Sequence, residues 1–141
     1  AGIKHLNRLE QVLARREWHD PQIAEGLLLD ADGRLVEGTM SNLFLVRDQL
    51  LLTPDLRRCG VAGIMRSMIL ELAERHSLPV KIRALDPEDL QSADEVVLCN
   101  SLIGIWPVIA VDGRTYRKGV ITTRLQEWLL AEEDDGSAWR A

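Results

Sequence analysis

Short turn signals and longer helical stretches alternate along this chain, and that alternation restricts the fold more than any single motif. Asp30-Ala31-Asp32-Gly33 and Arg47-Asp48-Gln49 each stand between two apolar runs, the pattern of a hairpin. Two longer stretches, 63–76 and 119–131, carry apolar residues at helical spacing instead. A hairpin makes antiparallel neighbours, whereas a helix between strands makes a crossover. A chain that mixes both implies an α+β domain built on a mixed sheet.

The elements follow in order. A first helix is expected over 5–18, with Leu6, Leu9, Val12 and Leu13 inward and Arg8, Glu10, Arg15 and Arg16 in water; Asp20-Pro21 ends it. Strands are expected over 25–30 and 34–37, then over 41–46 and 50–53. The helix over 63–76 turns Ile64, Met68, Ile69 and Leu72 inward, and a strand over 78–85 alternates through Val80, Ile82 and Ala84. Asp86 is an N-cap with Pro87 at the first helical position. Strands over 95–99 and 105–111 follow, the second turning at Asp112-Gly113. The closing helix buries Ile121, Leu125, Trp128 and Leu129, and Trp106 joins the core. Residues 1–131 form the folded unit and 132–141 a loose tail.

Composition excludes several classes of function. The chain has 141 residues with a net charge of -5 and no basic stripe, which argues against nucleic-acid binding. Its apolar runs, such as Gly26-Leu27-Leu28-Leu29, are too short to span a bilayer. Cys59 and Cys99 lie far apart without metal-type spacing, so they read as two buried, reduced thiols in a cytoplasmic protein, and no metal site is expected. His19 and His76 fall at helix ends, where a cation suits the dipole. The chain opens at Ala1, close to its most chemical residue, Lys4; it is expected to be the C-terminal part of a longer protein.

Four local features bear on chemistry, and each has an ordinary reading of its own. Lys4 adjoins the first helix and could equally be a solvated surface lysine. Glu37 ends a strand just before Gly38-Thr39, where backbone can approach a ring closely; it could also be a plain strand-end acid. Gly60-Val61-Ala62-Gly63-Ile64-Met65 offers a helix start for an anion, or merely a helix entry that uses glycine. Cys99-Asn100-Ser101 leaves a buried strand as a polar turn, or as a simple one. One ligand would use all four: an aldehyde cofactor with a ring nitrogen and a phosphate, namely pyridoxal 5'-phosphate (PLP). A lysine would hold its aldehyde, a carboxylate would keep its ring nitrogen protonated, and helix-start amides would bind its phosphate.

The ordered set resembles a known family. Lys4 to Asn7, Glu37 to Phe44, Gly63 to Arg66 and Ala93 to Val108 are similar to the fold-type IV PLP enzymes, the class IV aminotransferase family. That family includes branched-chain and D-amino-acid aminotransferases and aminodeoxychorismate lyases. The stretch 1–12 and the turn from Cys99 to Leu102 look most like the lyases. The resemblance implies a C-terminal large domain of the D-amino-acid-aminotransferase-like fold, lacking the family's N-terminal domain. It places the cofactor-attached, catalytic lysine on Lys4 and the ring-nitrogen carboxylate on Glu37. Asn42 and Gly63 fall within the matching motifs and are expected to be cofactor-binding residues as well. Phosphate-binding backbone falls on Ile64 and Met65, the second commonly a threonine in the aminotransferases, and the polar turn on Asn100 and Ser101. The implied reaction converts 4-amino-4-deoxychorismate to 4-aminobenzoate and pyruvate in folate biosynthesis, within a homodimer. The alternatives are amino transfer on the same fold, and a truncated PLP-binding piece without activity.

Overall fold

The computed structural model describes residues 9–136. Lys4 therefore lies outside the described residues. Helix α1 spans Leu9–Arg15. A two-stranded ribbon follows, β1 (Leu27–Leu29) against β2 (Leu35–Gly38). The turn between them closes as its residues require: Gly33 takes φ +77, and Asp30 Oδ1 accepts the N–H of Asp32 and of Arg34.

The main sheet has five strands in the order β5-β4-β3-β6-β7. These are β3 (Asn42–Arg47), β4 (Leu50–Pro54), β5 (Val80–Arg83), β6 (Glu95–Asn100) and β7 (Gly104–Pro107). β3 lies at the centre, antiparallel to β4 and to β6, while β4 and β5 are parallel because α2 (Ile64–Arg75) crosses between them. The sheet is thus mixed, as the alternation of turns and helices implies. The short α3 (Pro87–Gln91) leads into β6; β8 (Ala110–Val111) and β9 (Arg114–Thr115) form a small hairpin before α4 (Val120–Asp134).

Apolar residues fill β3 and β6 because both faces of the sheet are covered. Phe44, Val46, Val97 and Cys99 face α2 and α4, meeting Met65, Ile69, Leu72, Ile121 and Leu125. Leu43, Leu45, Val96 and Leu98 face the other way, against Leu35, Leu85 and Tyr116. Strand alternation sorts neighbours into two cores.

Several expectations need correction. Ile69 and Leu72 face inward as expected and Met68 packs against the core, but Ile64 is 70% exposed and Met65 takes the inward position at the start of α2. Ile82 is half exposed because β5 is an edge strand. Trp106 is substantially exposed on the opposite edge strand rather than a core residue. Trp128 is partly buried and stacks on His76, ring centroids 4.1 Å apart, joining the end of α2 to α4. The strand expected over 105–111 breaks after Pro107. Leu9, Val12 and Leu13 of α1 are all more than half exposed, so that stripe is not buried against the described residues. α4 runs on through Asp134, into the segment expected to be loose. Cys99 is buried, but Cys59 is only partly so. No helix among the described residues is long and apolar enough to cross a membrane.

Candidate active site

Strand register and side-chain bonds gather three of the four sequence features, Glu37, the helix start at Gly60 to Met65 and the turn at Asn100, at one end of the sheet; Lys4 lies outside the described residues. Asn42, the first residue of β3, pairs with Cys99 near the end of β6. β4 runs back toward the same end, where Thr53 Oγ1 donates to the carbonyl of Leu43. The loop after β4 carries Gly60 to Gly63 into α2. β2 delivers Glu37 to that loop, and the turn after β6 carries Asn100 and Ser101.

Glu37 is 4% exposed, and its Oε2 accepts the Val61 N–H at 2.8 Å. Gly60 is held at φ +90, and a Cβ there would lie 2.8 Å from both Leu56 and Val36 side-chain carbons and 3.3 Å from Glu37 Oε2. Glycine is needed at this position for its conformation and for its lack of a side chain. Asn42 grips the same loop two atoms further on. Its Nδ2 donates to the Val61 carbonyl at 2.7 Å, and its Oδ1 accepts the Gly63 N–H at 3.0 Å. Gly63 is the N-cap of α2, with extended backbone and no side chain to cap the helix.

The amides of Ile64 and Met65 come next, and among the described residues neither has an acceptor. A helix start leaves such donors open by its geometry, and its dipole favours an anion there. Met65 buries its thioether in the core, so its backbone N–H is the only polar group it can offer. The sequence difference from threonine thus removes a hydroxyl without altering the amide. The next residue, Arg66, is buried and donates from Nη2 to the Pro54 carbonyl at 3.1 Å, while its Nε has no partner among the described residues. Burial lowers the Arg66 pKa from its ordinary value, against the opposing pull of Cys99 and Asp55. Burial also pushes the Cys99 thiol up to about 12, which keeps it protonated.

Asn100 is engaged with the protein itself. Its Oδ1 accepts the N–H groups of Leu102 and Ile103, and its Nδ2 reaches the Met40 carbonyl at 3.0 Å. Ser101 sits exposed in the turn that Asn100 shapes. That bond ties the turn after β6 to the turn between β2 and β3, and a further residue that sequence reasoning missed holds the second turn. Glu25 accepts the N–H of Thr39 and of Met40, and the hydroxyls of Thr39 and Ser41. These partners lie 14 to 16 residues away, and no local pattern around Glu25 signals them.

This arrangement fits the cofactor inferred from sequence: a buried carboxylate and a helix start with open amides, joined by one short loop whose glycines admit close approach. The fold class is that of fold-type IV PLP enzymes, and solved structures agree. The chain superimposes on a crystal structure of 4-amino-4-deoxychorismate lyase from Pseudomonas aeruginosa with a TM-score of 0.89, at 55% identity, covering 97% of this chain and 50% of that one. It matches the branched-chain aminotransferase of Escherichia coli with a TM-score of 0.84, at 34% identity, covering 89% of this chain and 43% of that one. An aminodeoxychorismate lyase from Vibrio harveyi is 40% identical over 130 residues, which is 89% of this chain and 48% of the relative. Residues 1–111 match the family described as amino-transferase class IV, and the chain belongs to it. Members of this family use PLP. The chain spans about half the length of these relatives.

Proposed function

We propose that this chain is the cofactor-binding part of a PLP-dependent aminodeoxychorismate lyase, which converts 4-amino-4-deoxychorismate to 4-aminobenzoate and pyruvate. The observation that carries the site is the loop 60–63, held by Glu37 at Val61 and by Asn42 at Val61 and Gly63. It supports a reading in which a buried acid and a helix start serve one ligand. The choice of reaction rests on identity: 55% and 40% to two lyases, against 36% and 34% to branched-chain aminotransferases.

Each residue then has a task. Glu37 would face the ring nitrogen, and its carboxylate would pair with the protonated form of that nitrogen. The Ile64 and Met65 amides would hold the phosphate, with Ser101 at the neighbouring turn. Asn42, Gly63 and Asn100 would shape the two loops that receive the cofactor. Lys4 would attach the aldehyde and then take the proton from the amine-bearing carbon of the substrate. When bound, PLP supplies an electron sink for the charge left at that carbon. The bond between the adjacent ring carbon and the ether oxygen would then break, the ring would become aromatic, and the oxygen would leave with the three-carbon group as enolpyruvate, which takes up a proton to become pyruvate. The protein's contribution is therefore positioning and proton transfer. On this reading the protein is a cytoplasmic homodimer acting on a small molecule.

Amino transfer is the second reading, favoured by the match to branched-chain aminotransferases, which reaches 36% identity over 140 residues. Incubating the full chain with aminodeoxychorismate separates the two. Stoichiometric pyruvate and 4-aminobenzoate support the lyase. Conversion of PLP to its amine form by branched-chain amino acids, without pyruvate release from aminodeoxychorismate, supports transfer. Mass analysis after borohydride reduction should place the cofactor on Lys4, and attachment elsewhere would overturn that assignment.

A further inference from the structure

We infer that Asn42 is a positioning residue: its amide fixes the start of α2 against the central strand and thereby sets how tightly the site holds a phosphate. The inference rests on the reading above, that the Ile64 and Met65 amides take the phosphate.

Asn42 is 6% exposed and begins the strand with partners on both sides. Its side chain contacts backbone at both ends, donating to the Val61 carbonyl and accepting from the Gly63 N–H. Those two groups flank Ala62, so the side chain bridges one residue as a neighbouring strand would. The peptide that follows Gly63 carries the first open amide, that of Ile64. Orienting Gly63 therefore orients the donor next to it. Gly63 is matched to the arrangement, since a Cβ there would come within 2.5 Å of Asn42 Oδ1. The bridge is also charge-neutral. A carboxylate in its place could still accept from Gly63, but it could not donate to Val61, and it would set a negative charge beside the anion.

The test compares PLP with pyridoxal, which lacks the phosphate, as ligands of the full chain. Asn42→Ala should weaken PLP about tenfold, the worth of one or two hydrogen bonds, while pyridoxal changes less than about twofold. Asn42→Asp, which keeps volume and the bond to Gly63, should lower the PLP-to-pyridoxal affinity ratio further. In the cofactor-free protein, inorganic phosphate should raise the melting temperature of wild type more than of either variant. A ratio unchanged in both variants, with only a lowered melting temperature, would overturn the inference and leave Asn42 a structural residue. If wild type itself shows neither a preference for PLP over pyridoxal nor a phosphate effect, the phosphate assignment at α2 fails first, and this inference with it.

Discussion

The starts of α2 and α4 are nearly the same local structure, with opposite chemistry. Each begins after a glycine in extended backbone, Gly63 and Gly119, with no side-chain cap from that residue and no acid in its first turn. At α4 the sheet supplies an anion. Glu95, the first residue of β6, is buried and accepts the N–H groups of Gly119, Ile121 and Thr122 at 2.9 to 3.2 Å. At α2 the sheet supplies a neutral amide, Asn42, which takes the Gly63 N–H and leaves those of Ile64 and Met65 open. One helix start is filled from within; the other keeps its first amides open among the described residues. What separates them is a single residue type projected from a strand.

The largest expected effect is on the filled start. Glu95→Ala removes three charge-assisted bonds and strands buried N–H groups, which should cost about 3 kcal/mol of stability, read from chemical denaturation. Affinity for PLP in the folded fraction should not move. A loss of PLP affinity as large as the loss of stability would break the division between the two ends. Glu95→Gln keeps part of the acceptor geometry and should lose roughly half as much.

Paired glycine substitutions test the same contrast more directly. A Cβ at Gly63 meets Asn42 Oδ1, and one at Gly119 meets the Glu95 carboxyl group. Gly63→Ala should therefore reduce PLP affinity by about tenfold with a smaller effect on folding. Gly119→Ala should cost about 2 kcal/mol of stability through overpacking and leave PLP affinity intact. If both variants lose stability alone, α2 holds its ligand no more closely than α4 does.

Much of the fold was legible because its signals are local. Asp30 to Gly33, Asp48-Gln49 and Asp112-Gly113 turn where Asp and Gly tolerate positive φ; Asp48, Asp112, Gly33 and Gly113 adopt it, and Gln49 follows Asp48 into it. Asp86-Pro87 starts α3 where sequence places it. What escaped depends on distance along the chain. In α2, Ile64 and Met65 are both apolar, so periodicity gives the helix but not which of the two faces inward; the sheet decides that. The site divides in the same way. Glu37 and the Gly63 helix start were readable as residue types at suitable places. The ties that assemble them, Asn42 to Gly63 and Glu25 to Ser41, span 21 and 16 residues and leave no local mark. Glu95 read only as the start of a strand, because its role exists once α4 has returned to it.

An intermediate effect follows from the open start alone. Inorganic phosphate at about five times its dissociation constant should stabilise the cofactor-free protein by about 1 kcal/mol. The gain should shrink at high salt, as expected of a partly exposed charge interaction. Glu95→Ala should retain this gain, since α4 is not where the ion binds; Gly63→Ala should lose most of it.

The smallest effect concerns α3, whose start is filled by its own sequence. Asp89 Oδ2 accepts the Asp86 N–H at 2.8 Å, and its carboxylate takes Arg83 in a two-pronged pair at 2.8 and 3.0 Å. The Arg83 bond holds the Asp89 carboxyl below its ordinary value of 3.8, with Asp86 and Arg47 assisting against the opposing effect of burial. A depressed carboxyl contributes stability that is fully present above its unfolded value and is lost as the pH falls through its folded value. Because Arg83 is partly exposed, Asp89→Asn should cost only about 0.5 to 1 kcal/mol at neutral pH. Wild type and variant should converge in stability below pH 3.8. A gap that persists unchanged into acid would mean that α3 is capped by the geometry of the side chain rather than by its charge. The charge-based contrast between the starts of α2 and α4 would then need the same scrutiny.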